Sequence, residues 1–356
     1  MFKQHELLPL FQKFITSTKN GKRLNKNGNR IKKQTIANYS NCFRLLNEFK
    51  LETNTDLVLY EVKGNNKRQH KTLSNYWNNF YIQFTDYLYK HRNCHDNYTG
   101  QNIKIIRTFF GWLNNAYGIL TGSHHKNFYV AKEDVAIQTL SIEQLQFFVF
   151  DKSFESRLSK PLQQSKDVFV FGCMVGVRFS DLCNLTMHNI ETRDGNYYFK
   201  IRSQKTETDT LVKLPLQAVE IIGKYKKNKN KLLPTVSMVR FNKNIKKIAE
   251  LAGWITPVIK SRNKRGIHKT RKSSSKKILR FCDTVTSHMM RRTCITTMLT
   301  SGMPEYIVRK ISGHTSDSKS FFRYVNLAQS LMDKEIEKMH SHFEHLVQAL
   351  NTQCID

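Results

Sequence analysis

The chain has 356 residues, enough for two domains of ordinary size, and 39% of them are hydrophobic, which excludes wholesale disorder. Lysine and arginine number 58 against 28 aspartates and glutamates, a formal net charge of +30. So much positive charge repels itself unless it meets a polyanion; nucleic acid therefore leads over a ribosome-adjacent or membrane-surface role.

Residues 4–17 place Leu7, Leu8, Phe11, Phe14 and Ile15 on one stripe, which predicts an amphipathic helix. Residues 34–49 repeat the pattern with Ile36, Tyr39, Phe43, Leu46 and Phe49. A polar stretch at 50–72 reads as extended chain, and a third helix is expected from Leu73 to Tyr89. A fourth begins near Thr99, carries Ile103, Ile106, Phe110, Leu113 and Tyr117, and stops at Gly118 in the C-cap position. Between the first two stripes lie Lys22, Arg23, Arg30, Lys32 and Lys33, with Lys19 and Lys26 among them. Such a basic connection suits phosphate contacts across a DNA groove. Read locally, a helical bundle with solvated lysines explains it equally well.

Residues 123–140, SHHKNFYVAKEDVAIQTL, read as a linker, after which Ser141 and Gln144 have the spacing of a capping box. The helix predicted at 165–177, SKDVFVFGCMVGV, is apolar all round after its first turn and therefore buried. Residues 196–215 alternate apolar and polar on both sides of a polar TETD turn, a hairpin signal. Helices are expected at 286–301 and 304–311, the first halted by Gly302 and the second opened by Pro304.

Breaking a phosphodiester without a metal requires a nucleophile, cations to hold the crowded phosphate, and an acid for the leaving oxygen. Arginine suits the second task, because its planar fork grips two phosphate oxygens and never deprotonates. Arg178 stands directly after the buried helix, in GVRFSDLCNL, with Asp181 three residues on to hold its guanidinium. Arg291 follows His288 at i, i+3 in SHMMRRT, which puts imidazole and guanidinium side by side. Lys205 falls at the predicted hairpin tip, where a lysine reaches into a groove as a proton donor. His314 follows Gly313 beyond a helix end, and Tyr324 closes SFFRY ten residues later. A tyrosine serves as a nucleophile only where nearby cations favour its phenolate. Singly, each residue has a bland reading: HxxR as a surface pair, Tyr324 as core, Lys205 as a solvated turn lysine.

Their order is specific. GVRFSDL, QKT on a hairpin, SHMMRRT, ISGH and FFRY together resemble the tyrosine recombinase (phage integrase) family, most closely the integrases of mobile elements in Bacteroides-like bacteria. The motifs lie within 141–330, while the helical first third resembles the family's core-binding domain more loosely. The resemblance implies a mainly α fold with a small β-sheet (α+β), closed on DNA as a C-shaped clamp. Residues 1–122 would be a helical, SAM-like core-binding domain, 123–140 the linker, and 141–356 the catalytic domain. It further implies that Arg178 and Arg291 clamp the scissile phosphate and that Lys205 is the acid toward the 5′ oxygen. His288 would assist proton movement at the tyrosine, His314 would bind a non-bridging oxygen, and Asp181 would support the arginines. Tyr324 would form a 3′-phosphotyrosine link, with no metal and no cofactor. Several positions depart from the commoner pattern: Asp181 replaces glutamate, Met290 leucine, Arg292 a second histidine, and Ser312 the leucine before Gly-His. None removes a catalytic group.

The segment 222–280 contains KYKKNKNK, NKNIKK and IKSRNKRGIHKTRKSSSKK, with Glu250 its single acid. Its position between two motifs favours a DNA-backbone contact through Arg262, Lys264, Arg265, Lys269, Arg271 and Lys272 over a merely solvated loop. At the C-terminus, Met332, Ile336, Met339, Phe343, Leu346 and Leu350 form a narrow apolar seam. It either packs on its own domain or, as the family resemblance implies, docks on a neighbouring protomer. The expected partners are double-stranded DNA, further copies in a tetramer joined by C-terminal helix exchange, and accessory DNA-bending proteins.

No run of about 18 apolar residues is available for a membrane span, and MFKQHELLPLFQKFITSTKN lacks a signal-peptide core. Seven scattered cysteines without a CxxC pair fit reduced thiols in the cytoplasm, next to the nucleoid. Two competing readings remain in view: a type IB topoisomerase-like enzyme, and a non-catalytic DNA-binding regulator derived from a recombinase.

Overall fold

The computed structural model describes residues 3–62, 67–202, 209–226, 231–270, 278–315, 318 and 320–353. In chain order the first elements are β1 (Lys3–Glu6), α1 (Leu7–Lys19), α2 (Lys33–Thr53), β2 (Val58–Glu61), α3 (Lys67–Lys90) and α4 (Asp96–Trp112). Next come α5 (Ile142–Phe150), α6 (Lys152–Ser156), α7 (Lys160–Val175), α8 (Phe179–Leu182), β3 (Ile190–Arg193), β4 (Asn196–Arg202), β5 (Asp209–Lys213), α9 (Leu216–Lys224) and α10 (Met238–Leu251). The chain ends through β6 (Ser261–Lys264), β7 (Ile267–Thr270), α11 (Phe281–Thr284), α12 (Ser287–Thr300), α13 (Glu305–Ser312) and α14 (Phe322–Gln353). The fold is mainly α with small sheets.

The described chain divides into two compact units: Met1–Val135 with Lys260–Arg271, and Ala136–Ile259 with Lys272–Asp356. In the first unit, four helices bury the stripes expected from the sequence. Phe11, Phe14, Phe49, Phe84, Phe109 and Phe110 are all but inaccessible and meet edge to face or tilted, as aromatic quadrupoles prefer. The first predicted helix loses its opening turn: Lys3–Glu6 pairs antiparallel with Val58–Glu61, from Lys3↔Glu61 to Glu6↔Val58. The charged residues before Leu7 thus find a ladder partner in the stretch read as extended. Helix α4 passes into a π-turn at Leu113–Tyr117 and ends at Gly118, which takes the left-handed cap the sequence indicated (φ +76°).

The segment Lys260–Arg271 departs most from the sequence reading. The chain leaves the second unit after Ile259, and β6 and β7 form a hairpin belonging to the first. Its turn residues Arg265 and Gly266 have positive φ, which aims successive backbone N–H groups at one point. The Asp96 carboxylate accepts both, at 2.7 and 2.9 Å, and also the Tyr89 hydroxyl at 2.8 Å. Glu133 accepts the Asn263 N–H and pairs with Arg262, while Arg265 pairs with Asp86 and lies over the Tyr89 ring.

In the second unit, Ser141 and Gln144 cap α5 reciprocally, as the spacing predicted. Helix α7 is the central element, with Val168, Phe169, Val170, Phe171, Cys173 and Val175 buried against α12, α10 and the sheet β3-β4-β5. β4 and β5 pair antiparallel out to Arg202↔Asp209, which realises the expected hairpin. Within the charge-rich 222–280 stretch, α10 buries Phe241, Ile245, Ile248 and Ala249 on one face and turns its lysines outward. That part is a core helix. Among the described residues, no helix is long and apolar enough to cross a membrane.

Candidate active site

Tyr324 stands in the first turn of α14. Its ring packs with Ile295, Val308 and Phe321 in a small apolar cluster and is only 5% exposed. Apolar packing therefore fixes where the phenol points, and its polar surroundings decide what it can do.

Arg178 reaches the site because α7 stops sharply. Gly176 caps the helix with φ +67°, and a Cβ there would sit 2.9 Å from the Cys294 sulfur, so both the backbone and the space require glycine. Two residues later Arg178 forms the N-cap of the short α8, which carries the buried Asp181. Burial pushes the half-buried Arg178 guanidinium below its ordinary value, while Asp181 and Tyr324 pull it back up.

Arg291 is 3% exposed on α12. Its Nη1 donates to the Gly176 carbonyl at 3.0 Å, and its Nη2 lies 3.2 and 3.3 Å from the two ring nitrogens of His314. Burial, then the nearby charge of Arg178, lower it to about 10, with Tyr324 and Asp181 acting in the opposite sense. Two desolvated arginines, the charge of Arg178 lowering Arg291, with Asp181 as a nearby acid to both, make a site that gains from an incoming anion.

His314 is delivered by the left-handed Gly313 (φ +62°) that ends α13, and its N–H donates to the Arg309 carbonyl. The imidazole centroid lies 5.2 Å from that of Phe321 and 5.8 Å from that of Tyr324, and Nδ1 is 2.8 Å from the Ser312 Oγ. Burial, then Arg291, Arg178, Arg309 and His288 in turn, push the ring down to about 3, so it is neutral at pH 7. His288, exposed in the first turn of α12 one turn before Arg291, thus acts on the same pocket. Lys205 belongs to the link between β4 and β5 and lies outside the described residues.

Arg309 escaped the sequence reading. It is 9% exposed, bonds Glu305 through Nε at 2.7 Å, donates Nη1 to the Thr315 carbonyl at 3.2 Å, and stacks 4.1 Å from the Phe321 centroid. It ties the loop after His314 to the ring beside Tyr324. The available signal was the Glu305–Arg309 i, i+4 pair on a helix with little other polar reason to bury an arginine.

The DNA-contact candidates divide by what they touch. Lys22, Arg30, Lys32, Lys33 and Lys269 are exposed. Arg23 is half-buried: it donates to Thr18 Oγ1 at 2.7 Å and lies 4.1 Å over the Phe14 ring. Arg262 and Arg265 are paired with Glu133 and Asp86, and Lys264 donates to Asn93 at 2.8 Å. Arg271 and Lys272 lie outside the described residues.

Residues 161–330 match the phage integrase family model. No curated protein sequence matches the chain. Three solved proteins share the fold at low identity. The lambda integrase dimer bound to a COC′ core site is 13% identical, with a TM-score of 0.60 covering 90% of this chain and 77% of that one. The same integrase as a tetramer on a Holliday junction gives 14%, 0.56, 88% and 77%. The XerH site-specific recombinase on its palindromic difH substrate, a post-cleavage complex, gives 12% and 0.56, covering 95% and 96%. The Tn1549 transposon integrase with circular-intermediate DNA gives 16% and 0.54, covering 89% and 94%. The matched span holds Arg178, Arg291, His314 and Tyr324.

Proposed function

We propose that the chain cuts and rejoins DNA through a 3′-phosphotyrosine at Tyr324 to integrate and excise a mobile element. The observation that carries this reading is the convergence of Arg178, Arg291 and His314 on one buried tyrosine, with His288 acting on His314. The two arginines hold the non-bridging oxygens of the scissile phosphate and offset the charge that grows on them. The Tyr324 oxygen attacks phosphorus while the bond to the 5′ oxygen breaks. The phenol proton leaves with help from His288, and Lys205 supplies a proton to the 5′ oxygen. One phosphodiester replaces another, so attack by a free 5′ hydroxyl reverses the step without ATP.

In this reading 1–122 is the core-binding domain, joined by the hairpin segment Lys260–Arg271, 123–140 is the linker and the rest of 141–356 the catalytic domain, acting in the cytoplasm beside the nucleoid. The exposed Lys22, Arg30, Lys32, Lys33 and Lys269 suit DNA phosphates, contacts that weaken with salt. Met332, Ile336 and Met339, each 39–49% exposed on α14, suit docking on another protomer in a tetramer. The motif set points to the mobile elements of Bacteroides-like bacteria, with accessory DNA-bending proteins as further partners. Incubation with two duplexes carrying the element's ends tests the reading against a topoisomerase. Recombinant strands are expected, whereas relaxation of supercoiled DNA without exchange would favour the topoisomerase.

A further inference from the structure

Ser312 stands where leucine is the commoner residue, and its surroundings give it a task. It is 2% exposed at the end of α13, with Oγ 2.6 Å from the Val308 carbonyl, 3.3 Å from that of Arg309, and 2.8 Å from His314 Nδ1. A hydroxyl has one proton to give and two lone pairs. A carbonyl oxygen accepts only, and an oxygen–oxygen approach of 2.6 Å without a proton between is repulsive. The Ser312 proton therefore lies toward Val308. Its Oγ can then only accept from Nδ1, which must carry the ring proton. Because the imidazole is neutral, Nε2 is bare. Arg291 Nη2, a donor without acceptor capacity, lies 3.3 Å from that nitrogen and 3.2 Å from Nδ1; of the two only the bare Nε2 can accept from it. The opposite tautomer would leave the Ser312–Val308 approach without its proton.

We propose that Ser312 is a positioning residue that holds His314 in its Nδ1–H form, so that Nε2 accepts from Arg291 and aims the guanidinium. The inference rests on the recombinase reading of Arg291 and deepens it. The relay runs from Arg291 through His314 and Ser312 to the Val308 carbonyl, while the Gly176 carbonyl fixes the other guanidinium nitrogen. His314 in this state steers an arginine. It donates from Nε2 to a phosphate oxygen only when the relay reverses: the Ser312 proton turns from Val308 to Nδ1, Nδ1 gives up its proton to water, and Nε2 takes one from water. No net proton is gained or lost.

The test uses the full chain labelled with ¹⁵N at histidine, and Ser312→Ala and Ser312→Thr beside the native protein. Long-range proton–nitrogen correlation at pH 7 without DNA is expected to show His314 protonated on Nδ1 in the native protein and in Ser312→Thr. In Ser312→Ala the proton should move to Nε2. On a nicked suicide substrate, Ser312→Ala should form the covalent adduct about tenfold more slowly, the usual scale for losing an orienting partner, and Ser312→Thr should restore the rate. A native ring protonated on Nε2, or a tautomer indifferent to Ser312→Ala, overturns the proposal. So does Ser312→Ala cleaving at the native rate. The nuclear resonance reading needs no DNA, so absence of any adduct in the native protein would count against the recombinase reading alone and leave the tautomer decided.

Discussion

The pocket around Tyr324 and the hairpin Ser261–Thr270 are both basic, and they use their charge in opposite ways. In the hairpin, arginine meets acid: Arg262 pairs with Glu133, Arg265 with Asp86, and the turn amides converge on Asp96. There the charge is spent within the protein, docking ten residues onto the first unit. In the pocket, Arg178 and Arg291 are both desolvated and Arg178 depresses Arg291, with Asp181 as the shared acid. That arrangement is stabilised by an anion from outside. Sequence charge alone does not distinguish the two, because lysine and arginine density is the same signal whether the partner is a carboxylate or a phosphate.

The comparison breaks most sharply at the nucleophile. Tyr324→Phe should lose covalent adduct formation entirely while binding DNA nearly as the native protein does, measured by gel shift and denaturing electrophoresis on one substrate. If binding fell with cleavage, the ring's packing with Ile295, Val308 and Phe321 would be its whole role. Arg291→Lys comes next. An ammonium cannot serve the Gly176 carbonyl and His314 together, so cleavage should fall by about 10²–10³, the range for removing one donor to a developing charge. Single-turnover rates check it.

The hairpin predicts a stability effect. Asp96→Ala leaves the Arg265 and Gly266 amides and the buried Tyr89 hydroxyl without their acceptor, and should cost about 1–3 kcal/mol. Urea unfolding of the first unit's signal reads it, and an unchanged midpoint would mean the hairpin is held elsewhere. Acid sharpens the same contrast in the second unit. Burial alone would raise Glu155, but Lys224 at 2.8 Å and the 3%-exposed Lys166 at 3.2 Å outweigh it and hold the carboxyl at about 2. A carboxyl depressed on folding stabilises above its ordinary value of 4.5 and loses that contribution as pH falls toward about 2. Stability should therefore decline through that window, and Glu155→Gln should flatten the decline. The smallest effect belongs to Arg23→Ala. Losing the Thr18 bond and the Phe14 stack should cost about 1 kcal/mol and leave the salt dependence of DNA binding unchanged. A salt slope smaller by about one would instead identify a phosphate contact.

Much of this was legible where local rules decide. The Ser141 box, the Gly118 cap, the apolar α7 and the β4–β5 hairpin all follow from spacing and composition. What escaped was set by partners distant in sequence. Nothing near Lys3–Glu6 announces the pairing with Val58–Glu61, and nothing in SRNKRGIHKT points to Asp96 or Glu133. Helix α10 was obscured differently: its lysines dominate the composition, although Phe241, Ile245 and Ile248 keep a helical period beneath them. At the site, Asp181 is indicated by its place three residues after Arg178, whereas Arg309 and Ser312 are not. Arg309 and Ser312 act through His314 and Phe321, and a role exercised through another side chain leaves little trace in spacing.

The most direct measurement is the identity of the residue joined to DNA. A suicide substrate nicked beside the cleavage site traps the intermediate, which is then digested with protease and read by mass spectrometry. The peptide containing Tyr324 should carry the nucleotide through a 3′-phosphate, and the opposite strand end should be a free 5′ hydroxyl. DNA on any other residue, a 5′-phosphate linkage, or no adduct at all would contradict the account.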